Sequence, residues 1–390
     1  MKKGILKVLG LLGLGGLALA SCSNSNDVKP QIVVAVNQDT GTTFQAIKLW
    51  MDQAAEDLNF EWHHTVMSTR DNAANLSTLQ NELLNGTNGI ISMVDMDAAN
   101  LQKLLSDLDK NNAYYAGLDT ELANAKNGNL LSNSRIVGTV TDGESGASRG
   151  ETLFDEVVKT NNRKIVFGQY STSFFPNVIG AVDAFIAKAN EYNETHDDDF
   201  VFYKDETSAN YINDSTTYQF NFGQTLSDAE YNKWKDQDVD AVVCVNSVTK
   251  LVLPKTVTDN DPIEIFSVGF DDETQKSLGG NVLKTLSQTP SEVIFYPLVQ
   301  ILNAINGKTY SDAPTTPEGK VVTGHYIYIT NQNELTQAAN KIMNFSNSTD
   351  LSKCLIQPSE VKSMLAGEEG ATFQKLVDKL DSWTSSNLFA

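Results

Sequence analysis

Residues 263–290 read IEIFSVGFDDETQKSLGGNVLKTLSQTP. The apolar run 263–268 has strand length, and Gly269-Phe270-Asp271-Asp272 closes it. A short polar turn of helix is expected next. A second apolar run at 282–286 then predicts another strand, cut off by Ser287-Gln288-Thr289-Pro290. Near-continuous apolar runs bounded by turn residues fit strands covered on both faces by helices. The two strands end on polar side chains, Asp271 and Gln288. In an open α/β sheet, ligands bind outside the carboxyl ends of the strands. Both residues are therefore candidate ligand contacts. The plain alternative for Asp271 is a cap on the following helix.

The same alternation runs through the chain. A strand is predicted at 31–36, then a polar loop carrying Asp39, then Phe44, Ile47, Met51, Ala54 and Leu58 at helical spacing. Further strands are expected at 60–66, 89–94, 113–118 and 136–140. Leu76, Leu79 and Leu83, then Leu101, Leu104, Leu105 and Leu108, mark the helices between them. Asp142 reads as a cap on the next helix. The pattern restarts with a helix near 153–158, a strand at 164–167, a helix from about Asn177, and strands at 200–203 and 240–245. Residues 204–238 are polar and aromatic with no clear period. A strong helix is expected at 293–305, one extended run at 321–329, and weakly helical chain beyond 330. Strands alternating with helices imply right-handed crossovers and parallel sheets. The expectation is an α/β protein of two Rossmann-like lobes. No low-complexity linker divides them, so ordered strands join them.

The N-terminus reads as a targeting segment. Lys2-Lys3 precede an apolar run that ends in Leu19-Ala20-Ser21-Cys22. A basic start, an apolar middle and small residues at the cut are the parts of an export signal. The cysteine at the cut resembles the lipobox of bacterial lipoproteins. That resemblance implies a signal peptide over 1–21, lipidation of Cys22 and a polar tether over 22–30.

Formal charge is −20, and loss of Lys2, Lys3 and Lys7 with the signal makes the rest more negative. That excludes a nucleic-acid partner, because phosphate binding needs basic patches. Of the three cysteines, Cys244 sits in an apolar strand and reads as a buried hydrophobe, and a Cys244–Cys354 bridge stays open. No paired-cysteine spacing supports a structural zinc site. His63-His64 lie in a strand pattern, where neighbours face opposite sides, so they make no ligand pair. Neither a GxSxG elbow, an HExxH helix nor a GxxxxGK[ST] phosphate loop occurs.

What gathers after strands is a set of carboxylates, amides and one aromatic: Asp39, Phe44, Asp119, Asn177, Asn246, Asp271 and Gln288. Carboxylates accept hydroxyl protons, amides donate and accept, and an aromatic face covers C–H surface. Such a set binds hydroxyls well and is poor at nucleophilic chemistry. Each residue taken singly also reads as a cap or turn residue.

These residues resemble the type I periplasmic sugar-binding proteins, the ribose- and galactose-binding group that serves ABC importers. The resemblance runs from about Gln31 to Asn331. Its most specific parts are Val268-Gly269-Phe270-Asp271 and Leu286-Ser287-Gln288-Thr289-Pro290. Strand 241–246 resembles the one ending in a ligand-binding asparagine, here Asn246. Gly117-Leu118-Asp119 resembles the one ending in a ligand-binding aspartate. Phe44 aligns with a stacking aromatic, and Asn177 is the nearest match to a polar contact after residues 168–172. The chain departs from the family at Thr43, where a second aromatic is common, and at Thr120 and Asn177, where ribose binders carry arginines. The calcium loop of galactose binders is not visible.

The resemblance implies a three-strand hinge near Thr141, Gln288 and Val322. It divides the chain into an N-terminal lobe (31–141 plus 289–322), a C-terminal lobe (142–288 plus 323–345) and an extension (346–390). The implied function is capture of a pentose or hexose by a lipid-anchored, extracytoplasmic, monomeric binding protein that serves an ABC permease. No enzyme activity, cofactor or metal is expected. The alternatives are a nucleoside binder, a sensory receptor subunit for a furanosyl signal and an extracellular α/β hydrolase.

Overall fold

The structure, a computed structural model, describes residues 29–390 except 69–70, 119–121, 123–127, 142–144, 172–177, 222–223, 270–276, 279, 281 and 346–349. Cys22, Asp119, Asp142, Asn177 and Asp271 thus lie outside the described residues, as does most of the turn expected after Asp272.

The first sheet is built by β1 (Gln31–Val36), β2 (Glu61–Val66), β3 (Gly89–Ser92), β4 (Tyr114–Leu118) and β5 (Ile136–Thr141). Between them run α1 (Thr42–Leu58), α2 (Asn72–Leu84) and α3 (Ala98–Lys110). The chain continues through α4 (Gly146–Val157), β6 (Lys164–Tyr170), α5 (Ala181–Asn193), β7 (Val201–Phe202), β8 (Tyr211–Ile212) and β9 (Thr217–Phe220). It then forms α6 (Asp228–Asp236), β10 (Ala241–Cys244), α7 (Thr249–Thr256), β11 (Glu264–Ser267) and β12 (Leu283–Gln288). Last come α8 (Phe295–Ile305), β13 (Val321–Thr323), β14 (Ile327–Ile329), α9 (Gln332–Lys341), α10 (Pro358–Val361), α11 (Phe373–Asp381) and α12 (Ser385–Leu388).

Six strands pair in the order β13-β5-β4-β3-β1-β2, all parallel. The other eight form a second sheet in the order β14-β12-β11-β10-β6-β9-β8, with β7 also on β6. Here the expectation of purely parallel sheets needs correcting. The second sheet is mixed, because β14 runs antiparallel to β12 and β8 antiparallel to β9.

Side-chain alternation explains both cores. Ile32, Val34 and Val36 join the cluster under α1, while Val33 and Ala35 join the cluster under α2 and α3. In β6, Ile165 and Phe167 face one side and Val166 and Tyr170 the other. Strands buried on both faces read as continuous apolar runs, which is why they were legible. The second sheet's helices also pack closely: a side chain on Gly150 of α4 would meet the carbonyl oxygen of Ala181 in α5 at 2.0 Å.

The chain passes between the two sheets after β5, after β12 and after β13. The single run expected at 321–329 is therefore two strands in different sheets. Gly324 lies at the break. Its N–H donates to the Thr141 carbonyl at 2.9 Å, and a side chain there would crowd that oxygen at 3.1 Å and Val140 at 3.3 Å.

Residues 204–238, unassigned from sequence, add the β8–β9 hairpin and α6. The turn places Asn213, Asp214 and Ser215 at φ 52, 53 and 65. Its order comes from buried aromatics rather than from period: Trp234 Nε1 donates to the Tyr211 hydroxyl at 2.7 Å, which donates to Glu230 at 2.6 Å. The helix expected from about residue 177 is α5, which starts at Ala181 after left-handed Gly180 (φ 86). For α4 the described cap is Ser145, whose hydroxyl accepts from the Ser148 N–H. Cys244 and Cys354 are both free, and burial pushes each thiol up to about 12. His63 and His64 do face opposite sides, His63 meeting Glu82 of α2 at 2.8 Å.

One buried acid carries a pH prediction. Glu292, just after the β12 passage, is 0% exposed. Burial holds its carboxyl above the ordinary glutamate range, and the bonds it accepts from Met343, Ser291 and Leu355 pull only partly back. A folded-state value above the unfolded one means that the folded protein binds more protons in the window between them. Its contribution to stability is complete below the unfolded value and is lost as pH rises through the folded one. Glu292→Gln should therefore gain Tm relative to wild type as pH rises from about 4 to about 8. Melting curves across that range check it, and a constant difference between the two proteins would refute the assignment.

Candidate functional site

The second sheet presents buried polar groups at its carboxyl rim. Neighbouring strands place Cys244 of β10 beside Gly168 of β6 and Ser267 of β11. Asn246 follows β10 and is 6% exposed. Its Oδ1 accepts the Tyr170 N–H at 3.0 Å, while its Nδ2 has no hydrogen-bond partner among the described residues. Gln169 Nε2 on β6 is likewise without a partner there, at 1% exposure. On β12 the same holds for the Ser287 hydroxyl and for Gln288 Oε1. Leaving one buried polar group unpaired costs about 1–3 kcal/mol. Four such groups on one rim point to partners from outside the fold, a ligand or water.

Gly269 shapes this rim. Its φ of 120 is a left-handed value, and an added side chain would meet Ser247 Oγ at 2.6 Å. Glycine alone fits where β11 ends.

On the first sheet, α1 starts at an uncapped Gly41 (φ 89). Gln288 Nε2 donates to Thr43 Oγ1 in the first turn of α1, so the end of β12 touches the first sheet's leading helix. Phe44 is 6% exposed, with the His64 ring edge-on to it at 4.7 Å. His64 Nε2 lies 3.7 Å from the Asp39 carboxylate. Any stacking on Phe44 must use the small part of the ring left uncovered. Among the described residues no group of His, Cys, Asp and Glu is arranged to hold a metal ion.

Solved structures share this fold. A periplasmic solute-binding protein of an ABC transporter from Actinobacillus succinogenes, with bound D-allose, matches at a TM-score of 0.56 and 12% identity, over 77% of this chain and 98% of that one. A twin-arginine translocation pathway signal protein from Burkholderia phytofirmans gives 0.55 at 12% identity, over 78% and 90%. An ABC transporter solute-binding protein from Bacillus halodurans, with bound myo-inositol, gives 0.52 at 12% identity, over 79% and 97%. The chain has the type I periplasmic-binding-protein fold. No protein-family model matches it, and no curated protein does.

Within this fold, Asn246 and Gln288 share the second sheet's carboxyl rim, and Asp39 and Phe44 meet around His64 after β1. Thr43 joins the two groups through Gln288. Gln169, Ser287, Thr43 and His64 escaped the sequence reading as site residues. The amide of Gln169 interrupts an otherwise apolar strand, KIVFGQY, at its carboxyl end, and that signal was available. At Thr43 the sequence shows only the lack of an aromatic ring.

Proposed function

We propose that this chain is an extracytoplasmic, lipid-anchored, monomeric solute-binding protein. It takes a small sugar between two lobes and presents it to the permease of an ABC importer. The lobes are residues 31–141 plus 289–322 and residues 142–288 plus 323–345, with 346–390 as an extension. The observation that carries this reading is the set of unpartnered buried groups on Gln169, Asn246, Ser287 and Gln288. They are neutral amides and a hydroxyl, suited to neutral hydroxyl groups rather than to a phosphate or a cation. D-Allose and myo-inositol, bound in two proteins of the same fold, are polyhydroxylated in the same way. Asp119, Asn177 and Asp271 are proposed to complete the contacts, with Asp39 and Phe44 on the first lobe. Ligand bridges the lobes and closes them by hinge motion at the three passages. The protein performs no chemistry on the sugar.

The test is a thermal-shift screen of pentoses, hexoses, polyols and nucleosides on the protein lacking residues 1–21. At a ligand concentration of 100 times Kd, binding stabilises the folded state by about 2.7 kcal/mol, which gives a measurable rise in Tm. A sugar that raises Tm supports the reading. A response to nucleosides alone would replace it with the nucleoside alternative.

A further inference from the structure

We propose that the C-terminal residues 343–345 and 350–390 form a strap alongside the three passages, which restricts rotation of one lobe against the other. The proposal rests on the two-lobe reading but not on what the cleft takes.

The strap packs on both cores in turn. Leu335, Ala338 and Ile342, around α9, pack in the second core. Met343 then touches the first core, Phe345 still packs in the second, and Ile356, Val361, Leu376, Leu380 and Trp383 pack in the first. Leu388 of α12 returns to the second core. Leu355 packs against both. Each end is also hydrogen-bonded. Trp50 Nε1 of α1 donates to the Ile356 carbonyl at 2.9 Å, and the Tyr328 N–H of β14 donates to Ser385 Oγ at 2.8 Å.

The strap is latched to the passage after β12. Asn344 and Glu292 are both 0% exposed. The Asn344 side chain accepts the Ser291 N–H at 3.2 Å and donates to the Thr289 carbonyl at 3.1 Å. Glu292 accepts the Met343 N–H at 3.0 Å. These bonds hold residues 289–292, immediately after β12. A hinge closes by changing backbone angles in a few linking residues. Here buried bonds hold the residues after β12, so hinge motion there works against them. Any rotation must also shear a segment packed on both cores, and close-packed interiors resist that.

The test places nitroxide labels, carried on unnatural ketone-bearing residues, at positions 66 and 179 of the full chain. Val66 and Ile179 are 50% and 62% exposed and stand near the carboxyl rims of the first and second sheets. Dipolar electron resonance reads the distance between the labels without any ligand, so its outcome is separate from whether the cleft takes a sugar. The intact chain should give one narrow distribution. Asn344→Ala should broaden it toward longer distances. So should a four-residue Gly-Ser insertion between Trp383 and Thr384, which keeps every buried residue and adds only slack. If Asn344→Ala fails to fold, the insertion decides. A broad distribution in the intact chain, or identical distributions in intact and inserted chains, overturns the strap.

Discussion

Asn246→Asp is expected to bind sugar about 5- to 150-fold more weakly than wild type while remaining folded. The substitution keeps an Oδ1 acceptor for the Tyr170 N–H, so the end of β6 stays tied to the loop after β10. What it removes is the buried Nδ2 donor, the atom left without a protein partner. Loss of one well-buried polar contact leaves its counterpart on the ligand unpaired, at a cost of about 1–3 kcal/mol. Gln288→Ala should act in the same direction, because it removes the free Oε1 and also the bond to Thr43. Asp198→Ala is the control. That carboxylate pairs with Arg163 and Tyr192, away from the rim, so its loss should leave affinity unchanged. Calorimetric titration gives the affinity and a melting curve gives the fold. Full affinity in a folded Asn246→Asp protein would reduce Asn246 to a brace for Tyr170.

Cys22→Ala should leave the protein unlipidated and so without its lipid anchor. The thiol is the proposed acylation site, and stable anchoring needs two lipid signals, which a diacylated cysteine supplies. Among the described residues no helix is long and apolar enough to cross a membrane, so no span in that part of the chain is available as a substitute. Fractionation of cells fed labelled palmitate measures both consequences. Wild type should carry label and sediment with membranes, and the variant should carry no label. Label entering Cys22→Ala would place the lipid elsewhere.

Strands buried on both faces were the most legible part of the chain. In β1 and β10 nearly every residue is apolar, because helices cover both sides of each sheet. The extended run at 321–329 misled for a physical reason. Its halves pair in different sheets, and Gly324, crowded against Thr141, lies at the break. The aromatic segment 204–238 carries no clear period, since its order comes from Tyr211, Trp234 and Glu230 bonding one another. The C-terminal helices looked weak because α10 and α12 are single turns that packing and capping hold in place. Asn246 and Gln288 were readable as strand-end amides. Gln169 carries a signal of the same kind, an amide at the carboxyl end of β6.

The central claim is that a sugar sits at the carboxyl rim of the second sheet, against the first turn of α1. A crystal structure with the sugar chosen by the thermal-shift screen tests it most directly. The account predicts ligand hydroxyls within about 3 Å of Asn246 Nδ2 and Gln288 Oε1, the spacing of an ordinary hydrogen bond. Sugar bound instead in the surface groove between Glu156, Lys159, Tyr328 and Phe389, with the rim amides still unpaired, would contradict it.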